Sequence, residues 1–212
     1  MDTTPALDAA AVRWHGEDDG RPVVVLLHGY GSDETDLIAL APLLPDGFAY
    51  AAVRAPLPMP WPQPGHAWYP IEGLESRDAA RTTEAAHRLL EWVETTLGAD
   101  RSVGLLGFSQ GGAISLQAMR LSPARFDFAA NLSGYATPGV LPGDAALADA
   151  RPPVFWGRGT HDTVIPEPLV AHTTDWLPGH ADLVGRIYPG LGHAVSPAEL
   201  DDLRVFLDKR LR

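Results

Sequence analysis

The stretch Ser102-Val-Gly-Leu-Leu-Gly-Phe-Ser-Gln-Gly-Gly-Ala-Ile-Ser-Leu116 predicts a buried strand, a sharp turn and a helix in immediate succession. Its centre is Gly107-Phe-Ser-Gln-Gly111, in which one glycine stands two residues before Ser109 and another two residues after it. A serine in so tight a turn takes a strained backbone conformation, and a Cβ at a flanking position would clash with the chain. We therefore expect Ser109 to project from the end of a strand, where a nucleophile can reach a substrate.

Strand and helix patterns alternate on both sides of this stretch. Continuous apolar runs at residues 22–28 and 48–54 predict strands that are buried on both faces. Apolar residues recur at three- and four-residue steps in residues 77–97 and 197–210, which predicts amphipathic helices. The alternation predicts an α/β fold: a mostly parallel central sheet with helices on both faces and no large lid domain. We expect residues 1–212 to form one domain.

Residues 56–70 interrupt this alternation. They contain six prolines together with Trp61, Trp68 and Tyr69. Proline cannot continue the interior of a helix or a central strand, because it lacks the N–H group and its ring fixes φ. The segment therefore predicts a stiff loop that carries large aromatic side chains.

The composition excludes several functional classes. The formal net charge of -11 repels phosphate backbones, so we expect no nucleic-acid partner. The apolar runs are far shorter than the roughly 20 residues of a membrane-spanning helix, so we expect no membrane insertion. The first residues lack the basic and apolar segments of a secretion signal, which favours a cytoplasmic location. The sequence has no cysteine, which excludes disulfides, thiolate nucleophiles and cysteine-ligated metals.

Two residues further along the chain complete a nucleophilic arrangement with Ser109. A serine hydroxyl is a weak nucleophile and needs a base, which a third group must orient. Asp162 follows the predicted strand at residues 153–156, and His193 follows the predicted strand at residues 183–188. The carboxyl ends of parallel strands meet at one edge of the sheet, and the order Ser, Asp, His is that of the α/β-hydrolases. We predict that Ser109, Asp162 and His193 form a catalytic triad.

Other histidines compete for the role of base. His28 lies upstream of Ser109, which is the wrong order, and His161 adjoins Asp162, so the two side chains can hardly point along one hydrogen-bonded line. His66 lies in the proline-rich segment and could touch a substrate. His193 remains the preferred base.

The attacked carbonyl also needs backbone N–H donors for the negative charge that develops on its oxygen. One predicted donor is the amide of Gln110, which directly follows the nucleophile at the start of a helix. The other is the amide of Tyr30, in the loop His28-Gly-Tyr-Gly31, where the glycines permit a close approach. We predict that Tyr30 and Gln110 form the oxyanion hole.

Several short segments resemble one known family. They are Leu27-His-Gly-Tyr-Gly31, Ala55-Pro56, Trp68-Tyr69, Gly107-Phe-Ser-Gln-Gly-Gly112, Leu132-Ser-Gly-Tyr135, residues 157–166 and Gly192-His-Ala-Val-Ser-Pro197. In these segments the chain resembles the carboxylesterase and acyl-protein thioesterase family of α/β-hydrolases, also described as phospholipase/carboxylesterase. That family usually has leucine where Tyr30 stands, which changes the expected shape of the acyl pocket but leaves an amide donor in place.

The resemblance implies an esterase that acts through an acyl-enzyme on small to medium acyl groups, joined as oxyesters or thioesters. Its partner is then a small-molecule ester, with no metal and no organic cofactor. An apolar pocket is expected from loop residues on both sides of Ser109. The expected lining residues are Leu57, Trp68, Tyr69, Leu74 and Val164. Exposed apolar loop residues are also compatible with a homodimer.

Two readings from other classes compete with the esterase. The first is a non-catalytic protein of the same fold that binds a small apolar ligand, although binding alone needs none of Ser109, Asp162 and His193. The second is a nucleotide-binding enzyme, suggested by Gly29-Tyr-Gly31 and Gly157-Arg-Gly159. Neither glycine pair completes the dinucleotide fingerprint, and the chain has no phosphate-loop lysine.

Overall fold

The computed structural model describes residues 4–17, 19–71 and 78–211. The strands found there are β1 (Arg13–His15), β2 (Val23–Leu27), β3 (Ala49–Val53), β4 (Leu57–Pro58), β5 (His66–Ala67), β6 (Val103–Phe108), β7 (Phe128–Leu132), β8 (Pro153–Gly159) and β9 (Asp182–Tyr188). The α-helices are α1 (Glu34–Ile38), α2 (Ala79–Leu97), α3 (Gln110–Leu121), α4 (Asp144–Ala150), α5 (Glu167–His180) and α6 (Pro197–Asp208).

Seven of the strands form one sheet in the order β1-β3-β2-β6-β7-β8-β9. All neighbouring pairs are parallel except β1 with β3, which is antiparallel. The predicted mostly parallel central sheet is therefore confirmed. β6 lies in the middle of the sheet, so the strand that leads to Ser109 is protected on both sides.

The side chains of β2 show how the sheet divides the core. Every residue of this strand is buried. Val23, Val25 and Leu27 pack into the apolar cluster on one face, while Val24 and Leu26 pack into the cluster on the other. Because successive side chains of a strand point to opposite faces, a continuous apolar run requires covering elements on both.

Helices provide that cover on each face. Leu89 of α2, Ile114 of α3, Leu147 of α4 and Leu177 of α5 belong to the same cluster as Val23. Leu37 of α1 and Leu203 and Phe206 of α6 belong to the cluster that contains Val24. The predicted helices on both faces are thus present, and the carboxyl edge of the sheet is left for the loops.

Three segments add detail to the predicted alternation of strands and helices. The chain after Asp33 forms α1 and then a 3-10 turn at Ala41–Leu43, because Pro42 cannot continue the hydrogen-bonded ladder. The connection between β7 and β8 contains α4. The proline-rich segment is more ordered than a loop, since β4 and β5 pair as a small antiparallel hairpin.

Candidate active site

Ser109 occupies a strained turn between β6 and α3. Its backbone φ is 54° and its ψ is -114°, a left-handed conformation that side chains rarely adopt. A Cβ added to Gly107 would lie 2.2 Å from the backbone oxygen of Gly111, and one added to Gly111 would lie 1.9 Å from the oxygen of Leu27. The two glycines are therefore required by the backbone itself, as the sequence predicts.

Ser109, His193 and Asp162 are joined by hydrogen bonds in one line. The Oγ of Ser109 lies 2.8 Å from Nε2 of His193, and Nδ1 of the same ring lies 2.7 Å from Oδ2 of Asp162. With the ring neutral, Nδ1–H donates to the carboxylate and Nε2 accepts the serine proton, which is the arrangement of a general base with its orienting group. The line spans three separate loops at the carboxyl edge of the sheet.

Two backbone amides fix the orientation of the Asp162 carboxylate. Its Oδ1 accepts the amides of Val164, at 2.9 Å, and Ile165, at 3.3 Å. These bonds use one carboxylate oxygen and leave Oδ2 directed at His193. Hydrogen bonds of this kind fix the orientation of a charged group as well as satisfying it.

The loop that carries His193 is fastened to the loop that carries Asp162. The amide of His161 donates to the oxygen of Leu191 at 2.9 Å, and a Cβ on Gly159 would lie 2.0 Å from that same oxygen. The ring of Phe108 packs at 4.9 Å from the His193 imidazole, centroid to centroid. The His193 ring is therefore positioned by contacts from β6 and β8 together.

The two predicted oxyanion donors belong to segments that lie next to Ser109. A Cβ on Gly29 would lie 3.5 Å from Cβ of Ser109, so the loop after β2 passes close to the nucleophile. Gly31 donates its amide to His66 at 2.9 Å, whereas the Tyr30 amide has no acceptor among the residues described. Gln110 begins α3, where the first amides of a helix lack intrahelical acceptors. Both amides thus lack a protein acceptor in the described part of the chain, and their role in an oxyanion hole stays a prediction.

The ring of His28 holds the loop after β2 in place through two hydrogen bonds. Its Nδ1 lies 2.7 Å from the oxygen of Gly29, and its Nε2 accepts the amide of Ala55 at 3.0 Å. These bonds assign the proton to Nδ1 and a neutral ring. Burial lowers the pKa of His28, which also favours the neutral form. The ring therefore fixes the loop, and it is not in the line with Ser109.

The side chain of Gln110 links the nucleophile turn to the proline-rich segment. Its Oε1 accepts the amide of Trp68 at 2.8 Å, and its Nε2 donates to the oxygen of Tyr69 at 2.7 Å. The Trp68 indole N–H donates to the oxygen of His28 at 2.9 Å. The sequence had indicated only the backbone amide of Gln110, because such a long-range side-chain bridge leaves no local pattern.

The residues predicted to line an acyl pocket occupy different environments. Trp68 and Tyr69 are 0% and 1% exposed, and the Tyr69 hydroxyl is hydrogen-bonded to that of Tyr135, so both rings are part of the core beneath the site. Leu57 is half-buried in β4 and Val164 is exposed. Leu74 lies outside the described residues. Of the five predicted lining residues, Leu57 and Val164 are the two described ones that a ligand could touch without displacing the core.

Comparison with known proteins agrees with this geometry. The phospholipase/carboxylesterase family profile matches residues 9–211, nearly the whole chain. The chain belongs to the phospholipase/carboxylesterase family. Among its relatives, acyl-protein thioesterase 1 of Debaryomyces hansenii is 27% identical over 185 residues, which are 79% of this chain and 78% of the relative. Acyl-protein thioesterase 1 of Saccharomyces cerevisiae is 30% identical over 109 residues, and the match spans about half of that relative, 48%.

Solved structures place the chain among the α/β-hydrolases. Esterase PE8 is 27% identical, with a TM-score of 0.74 over 97% of this chain and 99% of the other. Acyl-protein thioesterase 2 of Zea mays is 23% identical, with a TM-score of 0.79 over 95% of this chain and 99% of the other, a likeness of fold. The family and its named members support a serine-hydrolase function and do not favour the non-catalytic alternative.

Two further observations concern metals and membranes. Within residues 4–17, 19–71 and 78–211, no group of three or more histidine, aspartate or glutamate side chains is arranged to hold a metal ion. In the same residues, no helix combines the length and the apolar character needed to span a bilayer.

Proposed function

We propose that this member of the phospholipase/carboxylesterase family is a serine esterase that hydrolyses carboxylic esters or thioesters of small to medium acyl groups through an acyl-enzyme. The observation that carries the proposal is the unbroken hydrogen-bonded line from Ser109 through His193 to Asp162. A protein that only binds an apolar ligand has no need of such a line.

Each member of the line has a separate task. His193 removes the proton of Ser109 as its Oγ attacks the ester carbonyl, and then gives that proton to the departing alcohol or thiol. Water enters next, the same imidazole takes its proton, and the acyl-enzyme breaks down to release the carboxylic acid. Asp162 keeps the proton of the neutral ring on Nδ1 and stabilises the imidazolium that forms in each half-reaction.

The charge on the carbonyl oxygen is stabilised by backbone donors. In each tetrahedral intermediate the oxygen accepts the amides of Tyr30 and Gln110, and the N-terminal end of α3 adds its dipole. Ser109 is the residue directly before α3, so the nucleophile and the Gln110 amide are neighbours at this turn.

The acyl group lies along the surface between the β4–β5 hairpin and the loop after β8. Leu57 and Val164 provide apolar contacts, and Tyr30 exposes its ring on the loop after β2. Apolar side chains of this kind suit the hydrocarbon part of a small to medium acyl group. We also propose that the chain acts as one domain in the cytoplasm, without a cofactor.

The decisive experiment combines labelling with turnover. Wild type should react with a fluorophosphonate probe at one site and hydrolyse p-nitrophenyl butyrate, whereas Ser109→Ala should lose both properties. Ser102→Ala is the matched control, because Ser102 is exposed at the other end of β6 and bonds to Asp127. Labelling that persists in Ser109→Ala, or wild type without ester hydrolysis, would overturn the proposal.

A further inference from the structure

Glu199 is a buried carboxyl group that the esterase chemistry does not use. It lies in the first turn of α6 and is 0% exposed. Neither of its carboxyl oxygens has a hydrogen-bond partner among the residues the structure describes. An unpaired charge in such a place is strongly disfavoured, so the side chain carries its proton. In agreement, burial raises the pKa of Glu199 to about 7.

The local sequence offers this side chain a different position. Ser196-Pro-Ala-Glu199 matches a capping box, and Ser196 Oγ accepts the amide of Glu199 at 3.1 Å. In a complete capping box the glutamate would turn back and accept the amide of Ser196. Here the side chain points inward instead and forgoes that hydrogen bond. The position of the Glu199 side chain is therefore set by the residues that pack against it in the protein interior.

The inner neighbour is β8. A Cβ on Gly157 would lie 2.1 Å from Oε1 of Glu199, so the carboxyl fills space that only glycine leaves open on the strand. Asp162 lies in the loop that leaves β8, and His193 lies in the loop that leads into α6. The packing of Glu199 against Gly157 therefore links the strand that precedes Asp162 to the helix that follows His193.

Apolar packing extends this support to the nucleophile turn. Val195, between His193 and α6, packs in the same cluster as Leu203 and Phe206 of the helix. Phe108 packs against that cluster as well as against the His193 ring. A shift of the first turn of α6 would therefore displace the imidazole through the chain and through Phe108.

Within the described ranges, no cationic side chain pairs with the Glu199 carboxyl. Asp202, one turn further along α6, faces it and favours the protonated form. On β9, Tyr188 and Arg186 both point to Asp202, at 3.0 Å and 3.4 Å. β8 presents Gly157 and Phe155 on this side. Loss of the proton would leave a buried negative charge beside another carboxylate.

We propose that Glu199 is a positioning residue for His193, which holds α6 on β8 as the neutral acid and releases this packing when it loses its proton. The role rests on the proposed esterase function, since it acts through the base of that reaction. It predicts stability that declines as pH rises from about 4.5 to about 7, and activity that declines as Glu199 ionises near and above pH 7, in both cases for a reason other than the triad.

Stability gives a test that needs no substrate. Between the ordinary value of about 4.5 and the folded value of about 7, the unfolded chain releases a proton that the folded chain keeps, so wild type loses stability as pH rises through this window. Glu199→Gln is neutral at every pH. Its thermal midpoint relative to wild type should therefore rise by about 5 °C between pH 5 and pH 9.

Activity supplies the readout specific to positioning. The kcat of Glu199→Gln divided by the kcat of wild type should be near one at pH 6 and roughly ten at pH 9. The ratio rises because wild type loses turnover at high pH, since a small displacement of a catalytic group slows the reaction strongly. Asp201→Asn is the matched control on the same helix, where the carboxylate is 78% exposed, and its ratio should not change with pH. Glu199→Met, neutral and of similar size, should behave like Glu199→Gln.

The outcomes separate the two proposals. If wild type hydrolyses esters but neither the kcat ratio nor the midpoint difference depends on pH, the role of Glu199 is refuted while the esterase stands. If the midpoint difference varies with pH but the kcat ratio is constant, Glu199 is structural and does not position His193. Wild type that hydrolyses no ester overturns the esterase, and the positioning role with it.

Discussion

The nucleophile turn around Ser109 and the β4–β5 hairpin lie next to each other at the carboxyl edge of the sheet, but different forces shape them. In the turn, backbone contacts of Gly107 and Gly111 leave one conformation for Ser109. In and beside the hairpin, the burial of an aromatic ring depends on partners far away in the chain. Trp61 is 93% exposed, whereas Trp68 is buried and hydrogen-bonded to Gln110 and His28. Close packing of backbone on backbone, within the turn at Gly107 and against Leu27 of β2 at Gly111, determines the first region, and side-chain hydrogen bonding determines the second.

The largest effect should come from a change that leaves both regions intact. Asp162→Asn keeps the size of the side chain but removes the charge that orients and stabilises the His193 ring. We expect kcat for p-nitrophenyl butyrate to fall by about 10⁴ while circular dichroism and the thermal midpoint change little. A loss of less than tenfold would mean that the turn and its oxyanion donors, without the triad, carry the reaction.

A substitution in the nucleophile turn tests whether its backbone is as constrained as the contacts indicate. Gly111→Ala would place a Cβ 1.9 Å from the oxygen of Leu27, and we expect a loss of about 3 kcal/mol or more in the free energy of unfolding. Gly179→Ala is the control, because nothing lies within 4 Å of its Cβ. Urea unfolding should separate the two variants, and equal stabilities would contradict the close packing of β2 on the turn.

Gln110→Ala cuts the bridge between the two regions. The change removes two buried hydrogen bonds to the backbone of Trp68 and Tyr69 but keeps the Gln110 amide. We expect kcat to fall roughly tenfold to a hundredfold, because the β4–β5 hairpin and the loop that carries Tyr30 are no longer held in a fixed position relative to Ser109.

Gln117→Ala provides the comparison for that experiment. Gln117 is equally buried on α3 and bonds to Thr83 and Arg120, away from Ser109. It should lower the urea midpoint without lowering kcat. If both variants lose kcat equally, the bridge from Gln110 has no special role in the site.

The smallest effect is expected at the tip of the hairpin. Trp61→Ala removes a ring that is 93% exposed, so the free energy of unfolding should change by less than about 0.5 kcal/mol. Urea denaturation monitored by far-ultraviolet circular dichroism measures this without relying on tryptophan fluorescence. A loss above about 1 kcal/mol would show that the tip packs against the protein in solution.

The sequence predicted those features that leave a periodic or local trace. Continuous apolar runs indicated β2 and β3, and the glycines around Ser109 indicated its turn. The order of Ser109, Asp162 and His193 indicated an arrangement that the structure brings within hydrogen-bonding distance. Each of these depends on spacing along the chain, which can be read directly.

Features that depend on tertiary contacts escaped the sequence. The proline-rich segment suggested aromatic rings on a pocket wall, but Trp68 is buried because its amide and its indole N–H both find distant partners. Glu199 looks like an ordinary capping residue until Gly157 is seen beside it. Burial of this kind follows from which segments meet, and no local pattern encodes it.

The edge position of β9 implies that the site does not have one uniform stability. Ser109 follows β6 in the centre of the sheet, whereas His193 follows β9, which pairs with β8 alone in the described sheet and is largely exposed. Edge segments open locally at a lower free energy than the global transition. Mild warming should therefore displace His193 while Ser109 is still held in place, so loss of activity should precede global unfolding and reverse on cooling.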